Sequence, residues 1–120
     1  MATIIRAGAG TIVNNFALIY SDTKSGNHSS AGSYTFTSDY NVVFVVLYAG
    51  GQGGGNAYGT ATIATDQSRL TKLGSNSKWS GNDNAGGSIY MIKSVKSGDT
   101  VSFGSFGPTG GGGILIVGSE

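Results

Sequence analysis

Short apolar runs separated by glycine, serine, threonine and asparagine set the pattern of this chain. The longest run is Asn41-Val42-Val43-Phe44-Val45-Val46-Leu47-Tyr48-Ala49, which is apolar at both parities. In an extended strand Val42, Phe44, Val46 and Tyr48 fall on one face, and Val43, Val45, Leu47 and Ala49 on the other. A half-exposed strand alternates apolar and polar residues, whereas a strand covered on both faces need not. The run therefore predicts a central strand buried on both sides, and its β-branched and aromatic residues favour that conformation. Gly50-Gly51-Gln52-Gly53-Gly54-Gly55 follows at once and is expected to stop the strand, as a tight turn, a mobile loop or a place where backbone packs on backbone.

Other strands are predicted over residues 3–6, 11–13, 16–20, 33–37, 57–64, 69–73, 88–93 (with 94–95 as an extension), 100–103 and 114–117. Tyr34 and Phe36 share one face of theirs. Turns are expected at Asn14-Asn15, at residues 65–68 and at Lys96-Ser97-Gly98-Asp99. Residues 21–32 and 74–87 are polar and read as loops, the second with Trp79 at its middle. Residues 104–113 form a second glycine-rich loop that carries the one proline, Pro108. No helical period and no fixed repeat are visible. Eight or nine short strands separated by turn residues predict an all-β fold, an antiparallel β-sandwich, jelly-roll-like, with glycine-rich loops.

Composition narrows the function classes. A chain of 120 residues is read as one domain. Charged residues make up 11% and the net charge is +1, so nothing points to nucleic acid or an anionic membrane. With 22 glycines and many serines, threonines and asparagines, the surface is neutral and polar, suited to assemblies and to uncharged ligands such as glycans. There is no cysteine, hence no disulfide framework and no thiolate metal site. No apolar run approaches the ~20 residues of a membrane-spanning helix, and residues 1–6 lack a secretion-signal pattern. A protein of this kind that acts outside its cell of synthesis is expected to leave by lysis or within a particle.

The inventory for catalysis is thin. His28 is the one histidine and lies in a serine-rich loop with no partner nearby in sequence. The acids Asp22, Asp39, Asp66, Asp83, Asp99 and Glu120 show no spacing that pairs two of them on a strand face, as a glycosidase would require. Asp99, after Gly98, reads as a turn residue. Asn82-Asp83-Asn84-Ala85-Gly86 has a faint likeness to a calcium loop but lacks its oxygen spacing and closing glutamate, so an Asx turn is the simpler expectation. Neither Gly8-Ala9-Gly10 nor the run from Gly50 to Gly55 is a phosphate loop, since no Gly-Lys-Ser/Thr opens a helix. Asn27-His28-Ser29 matches a glycosylation acceptor, which carries little weight without a secretion signal. No enzyme, cofactor or metal is expected. The residues singled out for ligand contact are Trp79 with Asn82, Asp83 and Asn84, and Tyr58 after the glycine run. An indole in a polar segment either tucks into a satellite core or offers a ring for the C–H face of a sugar, while asparagine and aspartate take its hydroxyls.

The order of these parts resembles a known group. Gly32-Ser33-Tyr34-Thr35-Phe36-Thr37 leads into the apolar strand and Ala49-Gly50-Gly51-Gln52-Gly53-Gly54-Gly55. Gly86-Gly87-Ser88, then Val95-Lys96-Ser97-Gly98-Asp99-Thr100-Val101, then Gly110 to Gly113 before Ile114 follow. This is similar to the glycine-rich C-terminal domains of bacteriophage tail-fibre and receptor-binding proteins, over residues 32–118. The chain departs from that group at Ser38-Asp39-Tyr40-Asn41, which lacks the usual proline and glycine, and at Lys96-Ser97, where proline is common. The resemblance implies a non-enzymatic virion component, a homo-oligomer and usually a trimer, which attaches to a host-surface glycan or protein. It also implies contacts with other virion proteins, synthesis in the host cytoplasm, and no binding of nucleic acid or insertion into membrane. Residues 1–31 would be an attachment or inter-subunit segment. The alternatives are a structural decoration or tail-assembly subunit without ligand binding, and a stand-alone lectin.

Overall fold

The computed structural model describes residues 4–7, 11–24, 32–52, 59–81, 83–104 and 111–120. Ten strands run through them: β1 (Ile4–Ala7), β2 (Thr11–Asn14), β3 (Ala17–Lys24), β4 (Gly32–Thr35), β5 (Tyr40–Gln52), β6 (Thr60–Ile63), β7 (Leu70–Ser80), β8 (Asp83–Val95), β9 (Thr100–Gly104) and β10 (Gly111–Ser119). A single 3-10 turn at Gln67–Arg69 precedes β7. Among the described residues no helix is long and apolar enough to cross a membrane.

β1 and β2 pair with each other as a hairpin, and the remaining strands form a sandwich. The large sheet has the order β3-β10-β5-β8-β7 and the small sheet β4-β9-β6. Each strand of the first half pairs antiparallel with its counterpart from the second: β3 with β10, β4 with β9, β5 with β8. That is the pattern of a long hairpin rolled up on itself, the jelly-roll arrangement expected from the sequence. One rung differs. β7 does not pair with β6 but turns back on β8 and becomes an edge of the large sheet.

The core lies between the sheets. Val43, Val45 and Leu47 on the inner face of β5 are fully buried, flanked on β8 by Tyr90 and Ile92 and on β10 by Ile114 and Ile116. Val101, Phe103, Ile63 and Phe36 close it from the other side. Tyr34 and Phe36 share a face as expected, with rings 5.2 Å apart and edge-on. Tyr34 also stacks on Tyr20 of β3 at 4.7 Å, an aromatic link between the two sheets. The hydroxyl of Ser88, a polar group inside the core, donates to the carbonyl of Gly59 at 2.9 Å, which joins β8 to the chain entering β6.

Several expectations change. β5 does not stop at Ala49 but runs on through Gly50 and Gly51 to Gln52, paired with Ala85, Asn84 and Asp83. A ladder needs only backbone groups, and two strands that pair side by side hold the glycines extended. Residues 74–87 are not a loop. They are the outer parts of β7 and β8, joined at Gly81, whose φ of +62° suits a tight hairpin reversal. Their polarity reflects an edge strand exposed along most of its length, with no need for an apolar alternation. Asp83 to Gly86 are ladder residues of β8, and Asn82, where the Asx turn was expected to begin, lies outside the described residues. β3 extends into the segment read as a loop from residue 21, and β10 begins at Gly111 inside the second glycine-rich segment.

The β8–β9 turn is held by an ion pair. Arg69 Nη1 donates to Asp99 Oδ2 and to the carbonyl of Ser94, both at 2.8 Å, while Nη2 donates to Thr65 Oγ1. Asp99 Oδ2 also accepts from the Lys96 backbone N–H. The Asp99 carbonyl accepts from the Phe36 N–H, so the clamp reaches the core aromatic. Both charged side chains are mostly buried, at 19% and 12% exposure. The Arg69 hydrogen bond, followed by the Lys96 N–H and the nearby positive charges, holds the Asp99 carboxyl below its ordinary value against the opposing effect of burial. A depressed carboxyl stabilises the fold above its unfolded value near 4, and that contribution is lost as the pH falls through the folded value. Asp99→Asn should cost about 2 kcal/mol at neutral pH, the scale of a hydrogen bond to a charged partner. Urea titrations of both proteins from pH 7 to pH 2.5 should show the gap closing below about pH 4. A gap that stays constant across that range would remove the ion pair from this account.

Candidate interaction surfaces

Two surfaces stand out, and the first is the outer face of the large sheet. The second face of β5 is not buried as its sequence suggested: Val42, Phe44 and Val46 are half-buried and Tyr48 is 45% exposed. The register surrounds it with more apolar residues. Met91 and Ile89 of β8 stand opposite Phe44 and Val46, and Val117 and Leu115 of β10 stand opposite the same two residues on the other side. Phe16 sets its ring 5.5 Å from that of Phe44. Leu18, opposite Val117, is 60% exposed, and Leu73 at the β7 bulge is 52% exposed. The run of residues 41–49 is apolar on both faces, and the chain's own small sheet covers only one of them.

Tyr48 shapes this face. Its cross-strand neighbours are both glycines, Gly113 on β10 and Gly87 on β8. The ring lies over Gly113, where a Cβ would run into the tyrosine ring carbon and hydroxyl and would stand 2.9 Å from the Asp22 carbonyl. Gly87 is left uncovered, and it cannot carry a side chain because a Cβ would stand 2.9 Å from the Leu47 carbonyl. The result is an open depression of about 460 Å³ over Gly87, walled by Tyr48, Val46, Ile89, Leu73 and Asn76.

The second surface is the end of the β7–β8 hairpin. The ladder places Trp79 opposite Asn84 and Ser80 opposite Asp83, next to Gly51 and Gln52 of β5. A shallow depression of about 220 Å³ there is lined by Lys78, Ser80, Asp83, Asn84 and Ala85. Asp83 is exposed and Asn84 is buried, at 6% exposure. Of the residues singled out from sequence, Asp83 and the buried Asn84 line this depression, and Trp79 is paired in the ladder with Asn84 rather than with Asp83. Tyr58 and Asn82 lie outside the described residues, as does His28. Lys78 and Ser80 were not anticipated, and they become visible only once residues 74–87 are folded into a hairpin.

The other acids are engaged locally. Asp66 caps the 3-10 turn, and its carboxyl, held low first by the Ser68 hydroxyl and N–H, accepts from them at 2.6 and 3.0 Å. Asp39 accepts from the Ser97 N–H at 2.9 Å and stands 3.8 Å from the Lys96 ammonium. Among the described residues, no three His, Cys, Asp or Glu side chains gather as a metal site. Comparison with protein-family models, with curated proteins and with solved structures finds no match.

Replacing Gly87 by Ala should test how the sheet makes the depression. The added methyl meets a backbone carbonyl that cannot swing aside, so thermal denaturation should report a loss of about 1–3 kcal/mol, the usual cost of overpacking. An unchanged melting temperature would mean that β5 and β8 are not in register at Tyr48 and Gly87.

Proposed function

We propose that the chain is a non-enzymatic attachment domain of a bacteriophage tail fibre or tail tip, which binds a host-surface glycan through the end of its β7–β8 hairpin. The observation that carries this reading is the exposed polar cluster of Lys78, Ser80 and Asp83 around a shallow depression at one end of a nearly uncharged sandwich, with Trp79 between Lys78 and Ser80 in the same strand. Neutral sugars are held by a few convergent polar groups and an aromatic ring, and a shallow site of this kind suits one or two sugar units. Single sites so small bind weakly. Repetition over a homotrimer gives useful avidity, because a second contact is intramolecular once the first is made. The ordered parts of the sequence that resemble fibre domains, residues 32–118, support the same setting.

A second reading is a structural decoration or tail-assembly subunit, with other virion proteins as its partners. The exposed apolar face of the large sheet favours it, since such faces serve protein contacts. The two readings part at Trp79. Under the attachment reading Trp79→Ala should reduce binding to host cells or to an arrayed glycan by about 30-fold or more, the size of a hot-spot loss near 2 kcal/mol. Asp83→Ala should reduce it by a smaller factor, with circular dichroism unchanged for both. Wild-type protein that binds neither cells nor any arrayed glycan would leave the structural reading in its place.

A further inference from the structure

Leu18, Phe16, Tyr48, Leu73 and Ile89 are each 42–60% exposed, and all lie on one face of the large sheet. Together they expose on the order of 500 Å² of apolar side chain, the scale at which a patch on a single chain marks a contact. The half-buried Phe44, Val46, Met91, Leu115 and Val117 fill the spaces between them, so the patch is continuous across β3, β10, β5 and β8. Standard interfaces bury about 800 Å² per partner, so a patch of this size would form the apolar centre of one.

We propose that this face is the contact between copies of this chain, two or more sandwiches packing large sheet against large sheet. The inference rests on the homo-oligomer of the preceding reading and names the surface that makes it. Three observations select a second copy over other occupants. The first is charge. No charged residue stands at the centre of the face; Lys93 lies at one end and Lys78 and Asp83 at the other. An anionic bilayer or a charged protein would find no complementary field there, whereas identical copies meet without like charges at the centre.

The second is shape. A twisted sheet is best covered by another sheet of the same hand, about 10 Å away, and a second copy supplies that twist automatically. The inner face is already covered in this way by the small sheet. The third is the β1–β2 hairpin. Among the described residues it ladders with itself alone, and a lone two-stranded hairpin is marginal in water. β2 ends at Asn14, and Phe16, two residues on, already lies on Phe44 of the outer face. The chain thus brings a second β element to the margin of the same surface.

The test is the solution mass of the full chain by light scattering behind a sizing column, from low to high micromolar concentration. The wild type should run as an oligomer, at about 36 kDa if trimeric, three times the 12.1 kDa chain. Ile89→Asp combined with Leu73→Asp, both at exposed positions, should shift it to the single-chain mass with circular dichroism unchanged. Because the chain has no cysteine, single-cysteine variants give an independent readout that needs no disruptive charge. Maleimide labelling of Ile89→Cys should be slower than that of Thr62→Cys, on the exposed face of the small sheet, by about tenfold or more if residue 89 reacts only from dissociated chains. A monomeric wild type would overturn this assignment and the oligomer with it. A wild-type oligomer that survives the double aspartate variant folded, or that labels equally at both cysteines, would overturn the assignment alone.

Discussion

The structure depends on β5 being paired along both edges while its inner face is covered by the small sheet. Its inner residues Val43, Val45 and Leu47 have no exposure, and its backbone is in ladder with β10 along one edge and β8 along the other. Each fully buried side chain of this kind contributes roughly 1.5–3 kcal/mol of transfer free energy. The other strands take their positions from it. β10 brings β3, β8 brings β7, and the small sheet sits on the row of side chains that these central strands present. A one-residue slip in either ladder would turn Val43, Val45 and Leu47 outward and bring Phe44 and Tyr48 into a space shaped for smaller residues.

The clamp and the glycines serve that arrangement in different ways. Arg69 joins the 3-10 turn, the end of β8 and the β8–β9 turn through one guanidinium, where three crossings of the chain would otherwise be held by exposed backbone. Gly87 and Gly113 stand on either side of Tyr48, and neither has room for a methyl group. Glycine in a strand normally weakens it. Here it lets three central strands approach while a large ring lies flat on the outer surface, and so the same two positions shape both the packing and the depression.

This arrangement separates two kinds of surface. The hairpin end is polar, small and formed by side chains from two adjacent strands. The sheet face is broad, apolar and continuous. They share β8, whose residues near Asp83 line the first and whose Ile89 and Met91 belong to the second. One strand therefore contributes to both the polar hairpin end and the apolar sheet face.

The sequence by itself determined the class of fold, the central strand, the shared face of Tyr34 and Phe36, and the turn at Asp99. These follow from local periodicity and from the turn chemistry of glycine and aspartate, which act over a few residues. It also marked Trp79, Asp83 and Asn84 as a group, because they lie close together in the chain. Tertiary structure alone decided that Gly50 and Gly51 continue β5, and that residues 74–87 form a hairpin. Gly50 and Gly51 take their extended form from pairing with distant strands, and the hairpin over residues 74–87 lacks the apolar alternation that marks a strand in sequence. Most of all, it decided which face of residues 41–49 is covered. An apolar run on both parities predicts that both faces are covered, and only the placement of the small sheet on one side shows that the chain itself covers a single face.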